Sequence, residues 1–99
     1  TANFPSQNGH PLYGELIVVI SINRDGQLGY NQDGYKIEGI EIAKSSGNPA
    51  LDRQAIAIVR SSAPFGSFPA EMRKRVDIQD VVATFKFTRA GLETHLQTR

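Results

Sequence analysis

The stretch Ile-Gln-Asp-Val-Val-Ala-Thr-Phe-Lys-Phe-Thr, residues 78–88, decides the fold class because apolar residues recur in it at every second position. One face of this segment carries four apolar side chains, those of Val81, Ala83, Phe85 and Phe87. The other face carries mainly polar ones, among them Asp80, Thr84 and Lys86. A period of two predicts a β-strand with one well-buried face.

Two further strands are predicted upstream. Residues 16–23 also have a period of two, but Ile17 and Val19 make the second face apolar as well, so this strand is predicted to be covered on both faces or central. It ends in Asn23-Arg24-Asp25-Gly26, a sequence typical of a tight turn. A strand over about residues 35–43 follows, and the apolar parity slips between Ile37 and Ile40, so Gly39 is predicted to form a β-bulge. The turn sequence at residues 31–34 leaves two interpretations open, a long hairpin or a two-residue turn followed by a loop.

A helix is predicted between the second and third strands. Asn48 suits the N-cap, Pro49 suits the first helical position, and Asp52 complements the helix dipole. Apolar residues recur at helical spacing until Pro64, which predicts a helix over residues 49–62. The loop after it carries Phe65 and Phe68, two aromatics expected to plug the core, and residues 69–75 are predicted to form a short helical turn.

These elements predict an α+β fold with a three-stranded antiparallel sheet, in the order second-first-third, packed by one main helix and the short helical turn. Residues 1–14 are expected to be an irregular lead-in segment, residues 15–89 the domain, and residues 90–99 a flexible tail. The outer edge of the last strand would then be unpaired along most of its length.

Composition argues against several functional classes. The chain has 99 residues, a formal net charge of +1 and no cysteine, which disfavours nucleic acid as the main partner and excludes disulfides and metal sites built on sulfur. The longest apolar run, residues 16–20, is too short to span a membrane. A domain this small has little room for a deep substrate cavity, so binding by a surface or an edge is expected.

Residues suited to chemistry are few. His10 and His95 lie in the terminal segments, and Asp25 and Asp33 each precede a turn glycine. Ser45-Ser46-Gly47 would cap the helix or bind an anion, and capping is favoured. The basic run at residues 73–75 is expected to be a solvated surface that also suits an acidic partner. We expect no catalytic residue, no metal site and no cofactor, and therefore not an enzyme.

The order of several short motifs resembles that of one known family. Ile22-Asn23-Arg24-Asp25-Gly26 comes first, then Ser45-Ser46-Gly47 with Leu51-Asp52, then Ala63-Pro64-Phe65, Phe68-Pro69 and Phe85-Lys86-Phe87. With Asn3-Phe4-Pro5 ahead of the first strand, this series is similar to the periplasmic C-terminal domain of the TonB energy transducers. The longer segment from Gly29 to Tyr35 and a phenylalanine where the family usually has tyrosine, at position 4, depart from the pattern.

The resemblance implies a periplasmic domain of an inner-membrane-anchored protein, whose membrane helix would lie outside these 99 residues and associate with ExbB and ExbD. Such domains bind the TonB box of outer-membrane receptors by strand addition and transmit proton-motive-force energy for siderophore, haem or cobalamin import. Carried over to this chain, the partner-binding residues are Asn3, Phe4 and Pro5 together with the last strand's Val81, Val82, Ala83, Thr84, Phe85 and Lys86. A homodimer through the free edge is a further partner to consider.

Two alternatives remain. A TolA-like envelope-integrity domain has a similar architecture, although the Ala63-to-Pro69 motifs favour TonB and the absence of cysteine disfavours those TolA domains that carry a disulfide. A cystatin-like hydrolase inhibitor would need a Gln-Val-x-x-Gly loop, which this sequence lacks.

Overall fold

A computed structural model describes residues 6–7, 10–11, 13–66 and 70–98 of the chain. These described residues form two helices and eight strands. They are β1 (Ser6–Gln7), β2 (His10–Pro11), β3 (Gly14–Asn23), β4 (Tyr30–Gln32), β5 (Tyr35–Ile37), β6 (Ile40–Lys44), α1 (Pro49–Ser62), α2 (Ala70–Arg73), β7 (Ile78–Thr88) and β8 (Gly91–Thr98). The fold is α+β with one main helix, as the sequence predicted.

The main sheet has four antiparallel strands in the order β6-β3-β7-β8. The predicted order second-first-third corresponds to β6-β3-β7, but the prediction of only three strands is wrong. The fourth strand, β8, comes from residues 91–98, which were expected to be a flexible tail. A tight turn at Arg89 and Ala90 returns the chain along β7, so the hydrogen-bonding groups on that side of β7 are paired.

The segment before β3 also differs from the expectation of an irregular lead-in. Its described part contains two short strands, with Ser6 opposite Pro11 and Gln7 opposite His10. The predicted contact residues Asn3, Phe4 and Pro5 lie outside the described residues.

The second predicted strand is divided in two. Gly39, at φ 84°, lies between β5 and β6. A Cβ atom at this position would lie 2.3 Å from the Gly29 nitrogen, so the close approach of the two backbones requires glycine. The extra residue in the sheet register is Ala43, since Ile17 pairs with Lys44 and Val18 with Ile42. The β-bulge predicted at Gly39 is therefore displaced to Ala43, and Gly39 forms a strand break instead.

The segment between β3 and β6 is a separate two-stranded hairpin. Gln32 pairs with Tyr35, and the two residues between them, Asp33 and Gly34, both have positive φ, at 51° and 83°. Such a pair matches the right-handed twist of a hairpin. Of the two interpretations left open by the sequence, the structure agrees with a hairpin rather than a loop, because β4 and β5 pair with each other. This hairpin ends at Gly39.

Helix α1 covers one face of the main sheet. It has the predicted bounds, Asn48 is its N-cap, and the Asn48 side chain accepts a hydrogen bond from the Ala50 nitrogen. Its buried residues form one core with those of β3 and β7; the members are Leu16, Val18, Ile20, Leu51, Ala55, Val59, Ala83, Phe85 and Phe87. Within the described residues, no helix is both long enough and apolar enough to cross a membrane.

Candidate functional site

The residues predicted to bind a partner on the last strand lie in the middle of β7. Ala83 and Phe85 are buried in the core, as their alternation indicated, whereas Val81, Val82, Thr84 and Lys86 are half-buried. On one side β7 pairs with β3 from Ile78 to Phe87, and on the other it pairs with β8 from Val81 to Thr88. The structure thus places these residues in a central strand, and the expectation of a free edge at β7 is corrected.

The turn into β8 explains why the chain folds back at this point. Gly91 has φ 120°, a conformation that L-residues with side chains rarely adopt. The Thr88 hydroxyl accepts a hydrogen bond from the Ala90 nitrogen at 3.2 Å and lies 3.3 Å from the Gly91 oxygen, to which it donates. The short connection brings Thr88 opposite Gly91, which starts the pairing of β7 with β8.

Strand β8 is held mainly by its backbone. None of its residues is buried, and its two large apolar side chains, Leu92 and Leu96, are 39% and 70% exposed. A segment with few buried apolar contacts opens locally at low free-energy cost. The edge beside β7 is therefore occupied by a strand with little side-chain anchorage.

An apolar cavity of about 250 Å³ lies between α1 and the β7–β8 end of the sheet. Ile58 of α1, Phe65, Val81 and Leu96 are among the side chains that line it. Phe65 was expected to plug the core, but it is 39% exposed at this cavity. Phe68, the other expected plug, lies outside the described residues.

The register between β7 and β8 decides which of their side chains are neighbours on each face of the main sheet. Thr84 of β7 pairs with His95, Lys86 pairs with Glu93, and Phe87 pairs with Leu92. Because neighbours along a strand point to opposite faces, Leu92, Thr94 and Leu96 share the core side with Phe85 and Phe87. Glu93, His95 and Gln97 share the other face with Thr84 and Lys86.

The Ser45-Ser46-Gly47 motif acts as a cap for α1. The Asp52 carboxylate accepts hydrogen bonds from the Ser45 hydroxyl at 2.5 Å, the Ser46 hydroxyl at 2.7 Å and the Ser46 nitrogen at 3.0 Å. Burial raises the pKa of Asp52, but these hydrogen bonds outweigh it and hold the pKa below its ordinary value of 3.8. Of the two interpretations of this motif, the structure supports capping.

Two of the motifs that carried the family resemblance meet in space. The Phe65 nitrogen donates a hydrogen bond to the Gly26 oxygen at 2.7 Å. A Cβ atom at Gly26 would lie 2.4 Å from the Gly66 oxygen, so only glycine allows this approach. The turn after β3 and the loop after α1 are therefore packed directly against one another.

The groups considered for chemistry are dispersed. His95 is an exposed residue of β8, Asp33 occupies the β4–β5 turn, and Asp25 forms an exposed ion pair with Arg73 at 3.7 Å. In the part of the chain that the structure describes, no three His, Asp or Glu side chains are grouped so that they could hold a metal ion. Lys74 of the basic run pairs with Glu71 at 3.5 Å, both side chains being largely exposed.

Sequence reasoning missed β8, although a signal for it is present. From Leu92 to Thr98, positions 92, 94, 96 and 98 are leucine or threonine, and the positions between are Glu93, His95 and Gln97. This is an alternation with a period of two, typical of a strand. The polar composition of residues 90–99 led instead to the prediction of a flexible tail.

The geometry is thus that of a small sheet with one helix-covered face and a weakly anchored last strand. Comparison with curated proteins and with solved structures gives no significant match. The family model described as "Gram-negative bacterial TonB protein C-terminal" matches residues 10–88, which include every main-sheet strand except β8. This match confirms the resemblance found in the sequence, and the chain belongs to the TonB C-terminal family of Gram-negative bacteria.

Proposed function

We propose that this chain is the periplasmic receptor-binding domain of a TonB-type energy transducer and is not an enzyme. Domains of this family lie in the periplasm of Gram-negative bacteria and interact with outer-membrane receptors. The partner would be the TonB box of such a receptor, added to the sheet as a further strand. The observation that carries the proposal is the family match together with a long β7 whose outer side pairs, among the described residues, with the exposed strand β8.

The receptor segment takes the place of β8 beside β7 in this proposal. Val81 to Thr88 of β7 pair with β8, so release of β8 would present eight residues of strand edge to an incoming segment. Main-chain hydrogen bonds would provide the affinity, and neighbouring side chains the selectivity. The lack of a buried residue in β8 supports this exchange, since little apolar contact is lost when β8 leaves.

The wider role follows from the mode of binding. A strand pulled along its length loads several hydrogen bonds together, so strand addition suits transmission of force to a receptor. We propose that this force derives from the proton-motive force and supports import of siderophores, haem or cobalamin. In this proposal, ExbB and ExbD bind an inner-membrane anchor that belongs to a part of the protein other than residues 13–98.

A disulfide lock between β7 and β8 tests where the receptor segment binds. The chain has no cysteine, and Thr84 and His95 are directly opposite on the face away from the core. Opposite residues of an antiparallel pair have Cα atoms about 5.5 Å or less apart, within the range that a disulfide spans. We therefore expect the double variant T84C/H95C to form a disulfide on oxidation without disturbing the core.

The measurement is a titration of this variant with a synthetic TonB box peptide, monitored by amide chemical shifts. With the disulfide reduced, shifts are expected along Val81 to Lys86 and throughout β8; with it oxidised, binding should weaken at least about tenfold, because β8 can no longer leave. The two single-cysteine variants are the matched controls. Equal affinity in both redox states would refute displacement of β8, and absence of binding even to the wild-type chain would refute receptor recognition itself.

A further inference from the structure

The hairpin β4–β5 forms a groove with the face of the main sheet that lies away from α1. Tyr30 and Ile37 are paired and therefore share one side of the hairpin. Both line a groove of about 230 Å³, together with Val19 and Ser21 of β3 and Asp80 of β7. A second groove, of about 440 Å³, shares Tyr30 and Asp80 with the first and extends to the start of β7. We call the two together the outer groove.

Ser21 fixes the shape of the outer groove. Its nitrogen donates a hydrogen bond to the Gly39 oxygen at 2.8 Å, and its oxygen accepts one from the Gly29 nitrogen at 2.8 Å, which anchors both ends of the hairpin. Its hydroxyl donates to the Asp80 Oδ1 atom at 2.7 Å. Among the described residues, no other hydrogen bond or ion pair reaches this carboxylate. Asp80 is therefore held in place and keeps one oxygen for a ligand.

The charges in the outer groove are all of one sign. Its charged side chains among the described residues are those of Glu38, Glu41 and Asp80, and no described ion pair includes any of them. The whole chain has a net charge of +1, so this negative charge is a local excess. Val19 adds an apolar floor, and the ring of Tyr30 is a type of surface that attracts cations. A cationic group next to an apolar one is therefore the complementary ligand.

The sheet register sets the distance between two of these carboxylates. Glu41 pairs with Val19 on one side of β3, and Asp80 pairs with Ser21 on the other side. Two strand spacings and two residue steps separate Glu41 from Asp80, so their Cα atoms lie about 12 Å apart. An extended segment covers about 13 Å in four residues, and residues four apart point to the same side. Two cationic residues four apart would thus reach both carboxylates, with the residue midway between them over Val19.

We propose that the outer groove binds an extended segment of a partner protein with the pattern basic-x-apolar-x-basic, which crosses β3 diagonally on the face away from α1. One basic side chain pairs with Asp80 and the other with Glu41, and the apolar side chain between them packs on Val19 beside Tyr30. This segment contacts the face of the sheet, whereas the proposed receptor segment is added at the edge of β7. The two sites are therefore separate, and this inference does not depend on receptor binding.

Two synthetic peptides of identical composition test the spacing. Gly-Arg-Thr-Leu-Thr-Arg-Gly has its leucine on the same side as both arginines, whereas Gly-Arg-Leu-Thr-Thr-Arg-Gly has it on the opposite side; both carry blocked ends. In titrations at low salt monitored by amide chemical shifts, the first should perturb Val19, Ser21, Tyr30 and Asp80. It should bind at least about fivefold more tightly than the second, because only its leucine is buried. Equal affinity of the two peptides, or shifts confined to β8, would contradict the proposal.

Charge-removing variants test the site itself. Asp80→Asn keeps an acceptor for the Ser21 hydroxyl and should weaken binding of the first peptide at least about tenfold, since a hydrogen bond to a charged group is lost. Glu41→Gln, at an exposed position, should weaken it about threefold. The matched control is Glu15→Gln, which removes the same charge from β3 beside Lys86, outside the outer groove, and should change the affinity less than about twofold. Urea denaturation checks that each variant is folded. Equal weakening by Asp80→Asn and Glu15→Gln, or no binding at millimolar peptide, would overturn the proposal.

Discussion

Gly26 and Gly34 have nearly the same backbone conformation, with φ 84° and 83°, but different surroundings. Gly26 is buried against the Gly66 backbone, whereas no heavy atom lies within 4 Å of the position that a Cβ would take at Gly34. The pair therefore separates two effects that are usually mixed. One is the cost of a side chain at positive φ, and the other is the cost of a steric collision.

The predicted effect of Gly34→Ala is a loss of about 1 kcal/mol in the free energy of unfolding, from the left-handed conformation alone. Gly26→Ala should cost at least about 2 kcal/mol more, because the contact between the two loops must also open. Urea denaturation of the two variants measures the difference. Equal losses would show that the turn after β3 and the loop after α1 do not fix each other.

Asp52 makes stability depend on pH at one identified carboxylate. Its pKa is lowered in the folded chain relative to 3.8 in an ordinary environment, so its stabilisation is fully present above pH 3.8 and is lost as the pH falls through the folded value. At neutral pH, Asp52→Ala should lower the free energy of unfolding by about 1.5–3 kcal/mol, the range for hydrogen bonds to a charged group.

The pH dependence is the part of this prediction that identifies the cause. The gap in stability between wild type and Asp52→Ala should narrow at successive pH values below 3.8, as measured by urea denaturation. Glu71→Ala is a suitable control, because its ion pair with Lys74 is exposed and should contribute less than about 1 kcal/mol. A gap that is constant with pH would assign the effect to helix propensity instead.

At the scale of elements, the parts predicted well from the sequence are those defined by local chemistry. Asn48, Pro49 and Asp52 fix the start of α1 through caps and conformational preferences that involve near neighbours only. The strands β3 and β7 were predicted because both bury one face, which makes their alternation strongly apolar. One of the family motifs, Ser45-Ser46-Gly47, likewise belongs to a cap with local requirements, since both serine hydroxyls bond to Asp52.

The parts that sequence reasoning missed depend on partners far along the chain. β8 buries no side chain, so its alternation is between moderately apolar and polar residues, and its existence depends on the edge of β7. The bulge at Ala43 is set by the register between β3 and β6. The sequence of β7 therefore predicted its buried face correctly. It holds no information on whether β8 pairs with its outer edge.

Hydrogen exchange should reveal the weak attachment of β8 as an alternation within β7. Opening of β8 alone exposes the amides of Val82, Thr84 and Lys86, which point toward it, but leaves Ala83 and Phe85 bonded to β3. Native-state exchange monitored by NMR should give the first group at least about tenfold less protection than the second. Uniform protection along β7 would mean that β8 opens only when the whole domain unfolds.

At the scale of the whole molecule, the question is whether the domain needs β8 to fold. All the buried core residues among those described lie in β3, α1 and β7. The contribution of β8 is limited to partial cover by Leu92 and Leu96 and to main-chain hydrogen bonds. We therefore expect a chain ending at Arg89 to stay folded and to lose about 1–3 kcal/mol, compared with the 5–15 kcal/mol of a typical domain.

Urea denaturation tests this expectation. The shortened chain should unfold in one cooperative transition with a smaller denaturant slope, because it exposes less surface on unfolding. Phe87→Ala in the full chain is the contrasting variant: it removes a buried core side chain, 2% exposed, and should cost about 3–5 kcal/mol with nearly the same slope. If deletion of residues 90–99 were the more damaging change, β8 would be part of the folding core, and a receptor segment could not replace it at low cost.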